Sequence, residues 1–115
     1  MSITRIDPGT RFCEAVVHGD TVYLAGHVGS DPSAGVYDQT RDILARLDAH
    51  LAAAGSDRSR VLMVNVWLPD IATFGEMNRA WDEWVDRENM PARATVEARL
   101  ASADYKVEIA AIAAR

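Results

Sequence analysis

Two charged side chains, Arg93 and Glu108, stand where β-strands normally bury apolar groups, and their placement asks for a chemical reason. In the run from Pro91 to Leu100, an extended backbone sends Arg93, Thr95, Glu97 and Arg99 to one face and Ala94, Val96, Ala98 and Leu100 to the other. In the run from Lys106 to Ala113, residues Val107, Ile109, Ala111 and Ala113 share a face, leaving Glu108 with Ala110 and Ile112 on the opposite one. A charge among apolar neighbours is costly unless it is paired or used. Arg93 and Glu108 therefore either neutralise each other as a structural ion pair or offer a guanidinium and a carboxylate to a small polar ligand. Asn78, which interrupts the apolar side of a helical segment, is a third candidate.

Other chemistries lack their residues. His18, His27 and His50 are far apart in the chain and show no metal-ligand spacing with Cys13 or with carboxylates, so no metal site is expected. Gly26-His27-Val28-Gly29 misses the third glycine and the surrounding βαβ unit of a dinucleotide fingerprint, and no Gly-x-Ser-x-Gly elbow exists. With Cys13 as the sole cysteine, no intrachain disulfide is possible, which fits a reducing compartment. A net charge of −5 with no Lys/Arg cluster argues against nucleic acid as a partner and favours small molecules. Met1 to Pro8 has no signal-peptide core, and the apolar run Val61 to Leu68, broken by Asn65, is too short to span a bilayer. The expectation is a soluble, cytoplasmic protein without membrane contact.

These residues must be carried by alternating strands and helices. Phe12 to His18 and Thr21 to Ala25 flank a turn at His18-Gly19-Asp20, with Ile3 to Ile6 as a short edge strand. Asp31 to Gly35 is a loop; a helix follows with Ile43, Leu44, Leu47 and Leu51 on one stripe and Gly55 past its end. Val61 to Leu68 reads as a central strand apolar on both faces. A second helix puts Ile71, Phe74, Met77, Trp81, Trp84 and Val85 on one side. The two strands bearing Arg93 and Glu108 come last. This order predicts one α+β domain over residues 1–115, a mixed sheet with two helices packed on one face. Two helices cover only that face, so the other is expected to meet a copy of itself in a homo-oligomer.

The segments Pro91 to Leu100 and Lys106 to Ala113 resemble the signature of the RidA (YjgF) family of imine/enamine deaminases. Gly26 at the end of the third strand, Ala52-Ala53-Ala54-Gly55 closing the first helix and Met77-Asn78-Arg79-Ala80-Trp81 in the second agree with it. Ala15 to Tyr23 and the paired tryptophans Trp81 and Trp84 are most similar to a YoaB-like branch. The resemblance implies a chorismate-mutase-like fold assembled as a homotrimer, its sheets lining the centre and its clefts lying between subunits. It further implies hydrolysis of 2-aminoacrylate-like enamines and imines to 2-keto acids and ammonia, with no cofactor. By position, Arg93 matches the carboxylate-binding arginine and Glu108 the water-orienting glutamate. Asn78 matches an asparagine near the cleft, and Thr95 sits where the strand backbone meets the ligand.

The chain departs from the family pattern along one wall of the implied cleft. Phe12 stands where a tyrosine is usual, Ala25 where a serine is usual and His27 where a glutamine is usual, with Gly26 between the last two. Phe12, Gly26 and His27 are accordingly expected to shape the substrate pocket, His27 as a polar wall. An alternative to catalysis is a trimer that only captures small carboxylates such as 2-keto acids. The ribonuclease label also attached to this family fits poorly with the acidic charge balance.

Overall fold

A computed structural model describes residues 1–115. Strands β1 (Ile3–Pro8), β2 (Cys13–His18) and β3 (Thr21–Val28) precede helix α1 (Val36–Ala53). Strand β4 (Val61–Leu68), helix α2 (Phe74–Trp84), β5 (Ala92–Glu97) and β6 (Glu108–Ala114) follow. The six strands form one sheet in the order β1-β2-β3-β6-β4-β5, antiparallel except for the parallel pair β4 and β5. The C-terminal strand is thus threaded between β3 and β4, and β5, with Arg93, is left at an edge.

The core lies between the sheet and the two helices. Ile43, Leu44, Leu47 and Leu51 of α1 and Met77, Trp81 and Trp84 of α2 pack on Val22, Leu24, Val64, Val66, Ile109 and Ala111, all buried. These are the stripes the sequence predicts. Gly55 has φ +81°, the left-handed conformation that ends a helix most cheaply when there is no Cβ, and Gly19 turns the β2–β3 hairpin at φ +60°. The opposite face of the sheet is uncovered: Val16, Tyr23, Met63, Asn65, Trp67, Ile112, Ala110, Ala94 and Val96 lie there half-buried or exposed. The two-faced apolar pattern of β4 therefore has a partner on one face only within the chain.

Several boundaries differ from the sequence expectation; β2 begins at Cys13, one residue after Phe12, and β6 at Glu108, two residues after Lys106. β1 runs to Pro8, two residues beyond Ile6, because its ladder with β2 continues to the Pro8–Cys13 pair. β3 continues past Ala25 to Val28 through an irregularity in its pairing with β6 between Leu24 and His27. Ile71 belongs to a 3-10 turn (Ile71–Thr73) capped by the Asp70 carboxylate on the Ala72 N–H at 2.9 Å, so α2 starts at Phe74. Ala98, Arg99 and Leu100 leave the strand, since β4 ends at Leu68 and the following Pro69 has no N–H to continue the ladder.

Candidate functional site

Arg93 is brought beneath α2 by register. It pairs with Val64 and Thr95 pairs with Val66, both core residues, so the Arg93 and Thr95 side chains point to the helix-covered side. Arg93 Nη1 donates to Asn78 Oδ1 at 2.8 Å, and the guanidinium carbon lies 5.0 Å from the Trp81 ring centre and 5.8 Å from that of Phe74. No carboxylate of the chain lies within ion-pair distance of it. Burial draws its pKa down, with the charge of Asp82 opposing, but a guanidinium stays protonated at neutral pH. Its Nη2 and Nε donors take no partner within the chain, and together they form an edge suited to fork a carboxylate. The Thr95 hydroxyl, on the same face, is buried without a hydrogen-bond partner.

Glu108 opens β6 opposite Val28 on one side and Trp67 on the other, and it faces away from the helices. A groove of about 260 Å³ lies there, lined by Trp67, Ala98, Arg99, Leu100, Ala101 and Glu108. The carboxylate crosses directly over Gly26: a Cβ at that position would stand 2.2 Å from Glu108 Oε2. Gly26 is therefore the clearance that lets Glu108 lie as it does, a concrete reason for the glycine singled out from sequence. Glu108 makes no ion pair or side-chain hydrogen bond within the chain.

The two residues do not meet inside one chain. Arg93, Asn78 and Thr95 lie on the helix side, whereas Glu108 and Gly26 lie on the open side, so the structural ion pair within the protomer is excluded. Any pocket holding both groups must draw them from two copies of the chain. Phe12 precedes β2 and is 61% exposed.

His27 is placed otherwise than expected. The irregularity after Leu24 inserts an extra residue opposite β6, which shifts the side-chain alternation and turns His27 inward beside Ile109. His27 is 2% exposed and does not line the face that carries Glu108. Burial pushes its pKa below the ordinary imidazole range, against the Ala25 carbonyl and the Glu14 charge, which raise it. Two of the three histidines are close in space: the rings of His27 and His50 are centred 4.9 Å from each other, and Glu14 approaches both. Sequence spacing had no signal for this, because the contact depends on the bulge and on how α1 crosses β3. Gln39 was also missed: its buried amide bonds the carbonyls of Asp31, Ala34 and Asp104 and accepts from the Lys106 N–H, anchoring the entry to β6.

Comparison with known proteins gives a consistent picture. A profile described as Endoribonuclease L-PSP matches residues 2–115. A RutC family protein of Haemophilus ducreyi is 48% identical over 112 residues, covering 97% of this chain and 96% of its own. The RutC family protein YoaB of Escherichia coli is 41% identical over 114 residues, covering 99% of each. The rat protein named 2-iminobutanoate/2-iminopropanoate deaminase is 33% identical over 108 residues, 89% of this chain and 78% of its own. Among solved structures, a YjgF family member from Neisseria meningitidis superposes with a TM-score of 0.97 at 39% identity, over 100% of this chain and 96% of the other.

Proposed function

The chain belongs to the endoribonuclease L-PSP family that includes the RutC and YjgF proteins, and on that premise we propose that it hydrolyses carboxylate-bearing imines and enamines to 2-keto acids and ammonia. The supporting observation is the Arg93 guanidinium: half-buried, steered by Asn78, without an anionic partner in its own chain. Each charge-assisted contact to a substrate carboxylate is worth roughly 1.5–3 kcal/mol, so a two-pronged grip gives about millimolar affinity by itself. That strength suits a substrate that is short-lived and released again as a keto acid. An enamine first tautomerises to its imine; Glu108 then holds a water against the imine carbon, takes its proton as general base and returns it to the departing nitrogen, so that the carbinolamine collapses to 2-keto acid and ammonia. Imine hydrolysis is already quick in water, so a modest lowering of the barrier, about 1.4 kcal/mol per factor of ten, suffices.

The active assembly in this reading is a homotrimer whose clefts combine Arg93 of one subunit with Glu108 of the next. Two facts support it: the opposite facing of these groups, and the apolar open face of the sheet around Trp67 and Ile112. Gly26 and Thr95 belong to the cleft through Glu108 and Arg93 respectively, and Phe12 lies at its rim.

The test is release of ammonia and keto acid from 2-aminoacrylate generated in situ, together with subunit mixing. Arg93→Ala and Glu108→Ala homo-oligomers are expected to be inactive. Unfolding and refolding them together regenerates intact Arg93/Glu108 clefts at roughly a quarter of positions in a closed ring, with activity in proportion. No acceleration over buffer by the wild type refutes the enzymatic reading, and saturable 2-keto acid binding without turnover replaces it with a capture module. Active wild type without rescue on mixing refutes the shared cleft.

A further inference from the structure

We propose that Glu14, His27 and His50 form a zinc-binding site on the helix side of the sheet, separate from the Arg93 and Glu108 groups. The three side chains come from β2, β3 and α1. Glu14 Oε2 lies 2.9 Å from His27 Nε2 and 4.0 Å from His50 Nε2, and one donor atom from each residue falls within 4.8 Å of the others. Ligand atoms around a tetrahedral zinc, with bonds near 2.0–2.1 Å, sit roughly 3.3 Å apart, so this spacing brackets the requirement with small side-chain rotations.

The hydrogen bonding of His27 favours a cation over a simple contact. His27 Nδ1 lies 2.7 Å from the Ala25 carbonyl, which can only accept, so Nδ1 carries the proton. In the neutral ring, Nε2 then presents a lone pair to a carboxylate oxygen that is also an acceptor. Nε2 is buried and has no hydrogen-bond partner despite that short separation. Two facing acceptors repel unless a positive centre stands between them. An imidazole fixed through Nδ1–H to a backbone carbonyl, with Nε2 free, is the usual disposition of a zinc ligand. His50 has no such anchor; its Nδ1 lies 3.9 Å from the Asp7 carboxylate, beyond hydrogen-bond distance.

Two histidines and one carboxylate leave a fourth position for water or a further ligand, and this donor set favours zinc over the hard cations magnesium and calcium. The side chains of Glu14 and His50 are 35% and 16% exposed, which opens a route from the surface to the buried His27. Arg46, whose charge reaches His27, is engaged by the Val28 carbonyl and Asp42.

The experiment titrates zinc chloride into the chelator-treated full chain with a competing fluorescent chelator, and records the visible spectrum with cobalt(II). The expected result is one zinc per chain, a cobalt spectrum of low coordination number, and a zinc-dependent rise in melting temperature. Glu14→Gln and His50→Gln, both at partly exposed positions, should each weaken binding by at least about tenfold and abolish the thermal shift. Absence of saturable uptake by the wild type overturns the site. So does uptake left unchanged in either variant, which would assign the metal to adventitious surface groups.

Discussion

Gly26→Ala is the sharpest single test of the Glu108 geometry, because it adds one methyl group and removes nothing. Gly26 does not have a positive φ, so alanine fits the backbone without strain. The new Cβ would lie 2.2 Å from Glu108 Oε2 and 3.1 Å from its Cδ, whereas real Cβ contacts essentially never fall below 3.0 Å. The carboxylate must therefore retreat by 0.8 Å or more, the difference between 3.0 and 2.2. A displacement near 1 Å at a catalytic group costs on the order of a hundredfold in rate, equivalent to about 2.7 kcal/mol of activation free energy. The obstructing atom is the tip of a flexible side chain, so stability should change by less than about 1 kcal/mol. Steady-state kcat/KM for imine hydrolysis, measured with urea denaturation on the same sample, separates these effects. A Gly26→Ala variant within about twofold of wild type, while Glu108→Ala is inactive, would refute the idea that this clearance positions the base.

The remaining expectations address other levels of the structure. Arg93→Lys keeps the charge but loses the planar fork, and should lower kcat/KM at least tenfold, with Asn78→Ala showing a smaller loss in the same direction; steady-state kinetics decide both. Ile112→Lys places a charge in the centre of the uncovered sheet face and should shift the native mass spectrum toward monomer, with loss of activity in parallel. Leu51→Ala, at a fully buried site in the last turns of α1, should destabilise the fold by about 2–5 kcal/mol in urea titration. For Asp42, burial raises the pKa, but hydrogen bonds from the Ser30 N–H and hydroxyl, with Arg46, outweigh it and hold the carboxyl below its ordinary value. A depressed carboxylate stabilises the fold above its unfolded pKa of about 3.9, and that contribution disappears as pH falls through the folded value. Asp42→Asn should therefore flatten the loss of urea resistance between pH 5 and pH 2 (about the range in which such a group titrates).

What could be read from the sequence was whatever local periodicity controls. The Arg93–Thr95 alternation and the isolation of Glu108 on its face follow from the two-residue repeat of a strand, and the helix stripes from the three- and four-residue spacing of Leu44, Leu47, Leu51, Met77 and Trp81. The resemblance carried by Pro91 to Leu100 and Lys106 to Ala113 agrees with the family established by comparison. Non-local features were illegible. Nothing between Leu24 and His27 announces an extra residue, because a bulge exists only relative to the partner strand, here β6 from more than eighty positions away. That omission carried His27 to the wrong side and hid its approach to His50 and Glu14. The helical reading of Ile71 failed for a milder reason: Asp70 satisfies the backbone of a tighter turn before the α-helix begins.

The bulge also fixes the length of the segment that runs beneath Glu108. Deleting Gly26 would restore a regular ladder and leave the imidazole inward, two residues from Leu24 and opposite Ile109, but it would bring the Ala25 side chain into the place that Gly26 keeps clear beside the Glu108 carboxylate. Lineages descended from such a chain can change the residues around that carboxylate by substitution, whereas shortening the segment by its glycine fills the space the carboxylate occupies.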